Sequence, residues 1–252
     1  MINQTIHSQQ TLIFLRSPKL RWGASVIPIF ALAHEAPHLS CYGVMPTLPV
    51  YRAHPWHGIP IGEDAPVTVT CYIEIVPTDT VKFEVDKESG ILRVDRPQKY
   101  SNHCPTLYGF VPQTLCGDGV GELSAKALRK RSIRGDGDPM DICILTERPI
   151  LHGDILVRAR PVGGFRLIDG SEADDKVIAV LEGDDVYRKV TDVSQLPEGI
   201  IDRLRHYFLT YKEIPGVRKT PKVQVTDLYN RKVAHAVIRQ SMEDYRRFVV
   251  GA

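Results

Sequence analysis

The 252 residues carry 32 Lys+Arg against 30 Asp+Glu, a formal net charge of +2, and 43% of them are apolar. That length and apolar share suit one globular domain with a sizeable core plus an appendage, and they exclude disordered and fibrous classes. The balanced charge gives no argument for nucleic-acid or membrane partners, so neither is expected and any affinity for polyanions must be local. Five cysteines, Cys41, Cys71, Cys104, Cys116 and Cys143, are odd in number and form no Cys-x-x-Cys pair. Neither a disulfide framework nor a thiolate zinc site is indicated, and a reducing, cytoplasmic compartment is the simpler reading.

Residues 1–50 read as an appendage, with Arg16, Lys19 and Arg21 but one acid, Glu35, and no clear period. Three readings compete: a signal peptide built on Val26–Ala33, a transit peptide, or a true start at Met45, just before the pattern becomes orderly. The third is preferred, and nothing here is long enough to span a bilayer. His34-Glu35-Ala36-Pro37-His38 matches His-Glu-x-x-His, but Pro37 breaks the helix that a zinc site of that type needs. His54 and His57, around Pro55 and Trp56, read as turn residues. Residues 51–252 are the expected catalytic domain.

From Val67 the pattern turns strand-like: Val67–Val76 is rich in β-branched residues, Val81–Val85 alternates, and Lys87-Glu88-Ser89-Gly90 turns the chain into Ile91–Arg96. Together they predict a β-meander with Lys82 and Glu84 on one face. Tyr100 to Leu115, with Pro105, Gly109 and Pro112, reads as irregular. Gly117–Gly121 reads as a turn, and Lys126, Arg129, Lys130, Arg131 and Arg134 as a solvated loop or short helix.

The stretch that organises the chain is Gly135-Asp136-Gly137-Asp138-Pro139-Met140-Asp141, running into Ile142-Cys143-Ile144-Leu145. As an extended segment it would put Asp136 and Asp138 on one face, and three carboxylates so close call for hard cations or basic groups. Asp154–Pro161 and Gly164–Ile168 read as a hairpin around Val162-Gly163. A second acidic run, Asp169 to Asp175, then leads to Lys176 and the apolar Val177–Leu181, so two carboxylate clusters abut core strands. A helix follows from a cap near Ser194, with Leu196, Ile200, Ile201, Leu204, Tyr207, Phe208 and Tyr211 as its core stripe, stopped by Pro215-Gly216. A last helix begins near Asn230.

Three chemistries could use the carboxylates. An EF-hand frame from Asp136 fails, because Asp141 stands where glycine is required and a strand follows. A metal-dependent glycosyltransferase could use Asp136-x-Asp138, but no nucleotide-binding βαβ unit precedes it. Metal-assisted phosphoryl transfer to water needs many carboxylates with interspersed bases, which is what the chain offers.

Asp136-Gly137-Asp138-Pro139-Met140-Asp141 resembles the signature of the family I soluble inorganic pyrophosphatases, and chlamydial-type members look most similar. Glu74, Lys82–Gly90, Val94-Asp95-Arg96, Arg160–Gly163, Asp169, Asp174, Lys176 and Tyr211-Lys212 follow in the family order. The resemblance implies a mainly β fold with flanking helices, built on a small closed OB-like barrel. It implies hydrolysis of inorganic diphosphate to two orthophosphates by metal-activated hydroxide, with no covalent intermediate. Several Mg²⁺ ions, with Mn²⁺ as a substitute, would be held by Asp136, Asp141, Asp169, Asp174, Glu74 and Glu84. Asp138 would be the general base, and Lys82, Arg96, Tyr108, Lys176, Tyr211 and Lys212 would hold the two phosphates.

The chain departs from the family pattern in three places. Cys104 stands where many members have tyrosine before the proline of Tyr-Pro-x-x-Tyr-Gly, so one phenol is missing. Residues 116–134 hold an insertion. The resemblance also implies a homo-oligomer, a hexamer in some members, yet of two interface histidines only His206 has a counterpart, with Thr210 at the other site. The competing expectation is a catalytically weak relative that binds metal and polyanions.

Overall fold

The computed structural model describes residues 52–251 except 213, 215 and 218–221. The expected appendage, with its three readings and the His34–His38 stretch, lies outside the described residues. Ten strands form: β1 (Val69–Ile75), β2 (Val81–Val85), β3 (Leu92–Pro97), β4 (Leu107–Val111), β5 (Arg134–Gly135), β6 (Met140–Leu145), β7 (Ile155–Asp169), β8 (Glu172–Ala173), β9 (Lys176–Leu181) and β10 (Val223–Asn230). Among the described residues three α-helices join these strands, α1 (Asp118–Leu128), α2 (Glu198–Thr210) and α3 (Arg231–Tyr245).

Five strands close on themselves. β1 pairs with β4, β4 with β6, β6 with β9 and β9 with β7, and the first residues of β7 return to β1. Only β6 and β9 within this ring run parallel. The result is the small closed barrel that the resemblance implies, and closure leaves its ring without a free edge.

Strand alternation sorts the side chains. Val69, Cys71 and Ile73 of β1, Leu107 and Val111 of β4, Ile142 and Ile144 of β6, and Val177 and Ala179 of β9 fill one buried core. Their neighbours point outward. On that outer face Cys143, Leu145, Phe165, Ile178 and Val180 pack against Ile201, Leu204, Tyr207 and Phe208 of α2. α3 starts on Asn230, whose side chain accepts the Val233 N–H at 3.2 Å. Near its end Asp244 accepts the Val120 N–H at 2.9 Å and so caps α1 from a distance.

Several local readings change. β1 does not pair with β2, so residues 67–96 are a strand followed by a separate two-stranded sheet, not a meander. The stretch read as irregular contains β4, a strand of the ring; Pro105 and Pro112 flank it, where they interrupt no ladder bond. Gly117–Gly121 leads into and forms the first turns of α1, because the sequence window hides the distant cap at Asp244. The expected hairpin at Val162-Gly163 is one strand of 15 residues, bent by a register shift between Pro161 and Gly163. Ser194 lies in a 3₁₀ turn capped by Asp192, and α2 begins only after Pro197. β10 carries no clear strand pattern in the sequence, since charged and polar residues break its alternation.

Candidate active site

The outer face of the barrel above β4, β6 and β9 opens into a cavity of about 250 Å³. Asp136, Asp138, Asp141, Asp169, Asp174, Lys82, Arg96, Tyr108, Lys176, Tyr211 and Lys212 all line it. Glu74 and Glu84 line an adjoining hollow that shares Lys82, Tyr108, Asp138 and Asp141 with it. Every residue to which the resemblance gives a metal, base or phosphate role therefore lines one of these two adjoining hollows. Register explains the centre: Asp141 on β6 faces Lys176 on β9 across a parallel pair, and Tyr108 lies one strand over, opposite Cys143.

The Asp136–Asp138 segment is a bend, not an extended strand. Gly137 takes φ +78°, a left-handed conformation that glycine adopts without strain, and the Asp138 N–H donates to Asp136 Oδ1 at 2.9 Å. The carboxylates thus converge through a turn rather than by strand alternation. The turn is clamped from behind by the residue where the insertion begins. The Cys116 N–H donates to the Asp138 carbonyl at 2.8 Å, and the Gly137 N–H donates to the Cys116 carbonyl at 3.0 Å. Gly135 passes so close to the Cys116 carbonyl that a Cβ there would collide with it.

Ammonium groups stand between the carboxylates. Lys176, 2% exposed, bridges Asp141 and Asp174. Burial works against its charge, but the two aspartates outweigh it and hold Lys176 well above the usual lysine range. Lys212 reaches Asp169 at 2.5 Å and Lys222 reaches the same carboxylate at 3.0 Å; these partners overcome burial and hold Asp169 below its ordinary value. Lys82 bonds Glu84 at 3.1 Å and Asp95 at 2.9 Å. Lys212 is delivered just past the end of α2, where a cation also meets the negative end of the helix dipole.

Two carboxylates remain poorly compensated. Burial, with Asp174 beside it, pushes Asp136 up to about 8. Burial likewise lifts Glu74 to about 8 although its Oε1 accepts the Val85 N–H at 2.7 Å, and Asp141 and Glu84 add to the rise. Burial and Asp141 raise Asp174 too, against the pull of Lys176. Seven of the expected carboxylates share this region with four of the expected bases, Lys82, Arg96, Lys176 and Lys212. All the donors are oxygens, the set that suits a hard divalent cation, and the excess negative charge calls for one. Among the described residues no group of three closes around a single point as placed. The lysine ammoniums hold the intervening positions.

Three contributors were not singled out in the sequence. Lys87 forms an ion pair with Asp138, Asp95 pairs with both Lys82 and Arg96, and Glu172 lines the cavity. Each stood within a quoted segment, but on solvated turns and faces only tertiary contact distinguishes them.

Residues 71–246 match the family model described as inorganic pyrophosphatase. The chain belongs to the inorganic pyrophosphatase family. An inorganic pyrophosphatase of Chlamydia trachomatis is 52% identical over 204 residues, covering 80% of this chain and 98% of that protein. Soluble inorganic pyrophosphatase 3 of Arabidopsis thaliana is 36% identical, covering 79% of this chain and 81% of its own. The crystal structure of the Thermus thermophilus inorganic pyrophosphatase superposes with a TM-score of 0.64 at 30% identity, covering 77% of this chain and 99% of that one.

Proposed function

We infer that this protein hydrolyses inorganic diphosphate to two orthophosphates, a reading that rests on family membership and on the cavity's convergence of carboxylates and bases. The glycosyltransferase and weak-binder alternatives are not favoured.

We propose unequal roles for the site residues. Asp136, Asp141, Asp169, Asp174, Glu74 and Glu84 would hold divalent cations, with Mg²⁺ preferred and Mn²⁺ a substitute. When bound, such ions neutralise the tetra-anionic substrate and lower the pKa of a coordinated water. Lys82, Arg96, Tyr108, Lys176, Tyr211 and Lys212 would hold the phosphates, and their fixed positive charges stabilise the charge that moves to the leaving group. Burial, reinforced by Asp141, keeps the Tyr108 phenol well above its ordinary value, so it serves as a donor. Asp138 sits at the mouth with its side chain 44% exposed, where it can take a proton from attacking water and pass it to solvent. Lys87 pairs with that carboxylate.

The catalytic domain is proposed as 51–252 and the compartment as cytoplasmic, in keeping with the free thiols of Cys71, Cys104, Cys116 and Cys143. No helix among the described residues is long and apolar enough to cross a membrane. A homo-oligomer, a hexamer by family pattern, is proposed through the outer side of α2. His206 is exposed there, while the Thr210 hydroxyl is turned onto the His206 carbonyl at 2.8 Å. One assay tests the activity: purified protein and diphosphate, with Mg²⁺ present or absent, and orthophosphate measured. Metal-dependent release is expected; metal-stabilised folding without release would leave only the weak-binder reading.

A further inference from the structure

Four groups that line the two hollows, Lys82, Glu84, Lys87 and Arg96, ride on β2, β3 and the turn between them. Among the described residues β2 and β3 pair only with each other and share no ladder with the barrel. A two-stranded hairpin is marginal on its own, so contacts outside the ladder must seat it over the cavity. Two of these contacts lie within the site: the Val85 N–H donates to Glu74 Oε1, and Lys87 pairs with Asp138. A third comes from a segment outside it.

That segment is the turn at residues 54–58, closed by the Gly58 N–H on the His54 carbonyl at 2.7 Å. Trp56 fixes it to the barrel: it is 5% exposed, donates its Nε1–H to the Thr114 carbonyl at 2.7 Å, and lines the adjoining hollow with Lys87 and Asp138. His54 then meets the hairpin with both ring nitrogens engaged. Nδ1 lies 3.2 Å from the Trp56 N–H and 3.3 Å from the His57 N–H, so it accepts from both and carries no proton. Nε2 holds the ring proton and donates it to the Lys87 carbonyl at 3.2 Å. Gly90 ends the same hairpin turn at φ +70°, and a Cβ there would stand 2.8 Å from the His54 ring. One imidazole is thus bonded to the start of the turn and packed against its end.

We propose that His54 is a positioning residue for diphosphate hydrolysis. By holding the Lys87 carbonyl it fixes the backbone from which the Lys87 ammonium reaches Asp138, and so sets the carboxylate that takes the proton from water. It acts through Lys87 and not by contact with the reacting atoms. This rests on reading Asp138 as the base of a diphosphate site.

The test is steady-state diphosphate hydrolysis by the full-length protein at saturating Mg²⁺, with thermal melts alongside. Two amide substitutions divide the tasks of the two ring nitrogens. H54N keeps an acceptor in the place of Nδ1, so the turn stays capped, but it is too short to reach Lys87. It should lower kcat about 3- to 10-fold, the range that one hydrogen bond sets, with KM and Tm little changed. H54Q carries an amide N–H to the place of Nε2 and should recover most of that kcat. In K87M, which lacks the pair with Asp138 from the outset, H54N should add nothing. A histidine that only caps its own turn predicts the reverse, a silent H54N and an H54Q of lower Tm, and that result overturns the assignment. So does an H54N loss that persists in full in K87M. D138N separates the proposal from the reading of the site. A silent H54N beside an inactive D138N removes the positioning role and leaves the site standing, whereas a silent H54N beside an active D138N removes both. Nitrogen-15 NMR checks the link without turnover: the neutral His54 ring should carry its proton on Nε2, and a proton on Nδ1 would sink the proposal whatever the rates.

Discussion

Two charged clusters sit on opposite faces of the same short segment, and they are built to different ends. Asp174 and Lys176 point outward into the cavity, where carboxylates outnumber bases. Asp175, between them, points inward. It is 1% exposed, with Arg166 Nε 3.6 Å from its Oδ2, and the Arg166 guanidinium lies 5.4 Å from the Tyr229 ring centroid. The inner cluster pairs one acid with one base by charge, although Asp175 Oδ1 and Oδ2, Arg166 Nε and the Tyr229 hydroxyl make no hydrogen bond there. The outer one is left incomplete, with Asp136 and Glu74 held at about 8, and is completed only by cations. Identical residue types thus do structural or chemical work according to whether their charges are balanced inside the fold.

The largest expected effect lies on the outer face. D138N should cut the hydrolysis rate by about 10²–10⁴-fold with an unchanged melting temperature, since Asp138 is half-exposed at the cavity mouth. Near-normal phosphate release by that variant would take Asp138 out of the base role. The inner face predicts the converse. R166M leaves Asp175 buried without its partner and should cost about 3 kcal/mol in urea unfolding, while kcat changes little. Burial already pushes Asp175 up to about 7 against the pull of Arg166, so protonation limits the loss to the low end for such pairs. R166M/D175L, removing both charges, should regain most of it. An R166M protein that folds as stably as the parent but loses turnover would collapse the distinction between the clusters.

The sequence made the outer cluster legible and left the inner one unread, for a physical reason. Asp136, Asp138 and Asp141 stand within six residues, so their mutual repulsion is visible in the chain itself. Arg166, Asp175 and Tyr229 come from β7, the lead into β9, and β10, and nothing local joins them. The same limit governed the fold. The β-branched run at Val67–Val76 and the cap at Asn230 were readable because their signals are local. β4, β10 and the unbroken β7 were not, because ring closure and a distant Asp244 cap decide which glycines and prolines interrupt an element. Glu84, Lys212 and Tyr211 were assigned through resemblance, since periodicity files them as surface or core; the end of α2 brings Tyr211 and Lys212 to the cavity, and the separate β2–β3 sheet brings Glu84 to the adjoining hollow.

A pH titration sharpens the comparison most, because it separates the clusters in one experiment. Asp136 and Glu74 have folded values near 8, above the ordinary carboxylate value of about 4. Stripped of metal, the native state therefore binds more protons than the unfolded chain between those values, and stability falls as pH rises through that window. Asp169 and Asp192, held below their ordinary values, act only at lower pH and do not offset this. In EDTA the melting temperature should thus drop as pH rises from 5 to 8. Added Mg²⁺ favours the ionised site carboxylates and should flatten that part of the slope. Asp175, raised by burial out of reach of the cation, contributes with the same sign up to about pH 7, and Mg²⁺ should leave its share in place. The residual slope should vanish in R166M/D175L and persist in D136N. If Mg²⁺ erased the whole slope in the parent protein, the inner aspartate would be exchanging with the outer site, and the two faces would be one electrostatic unit.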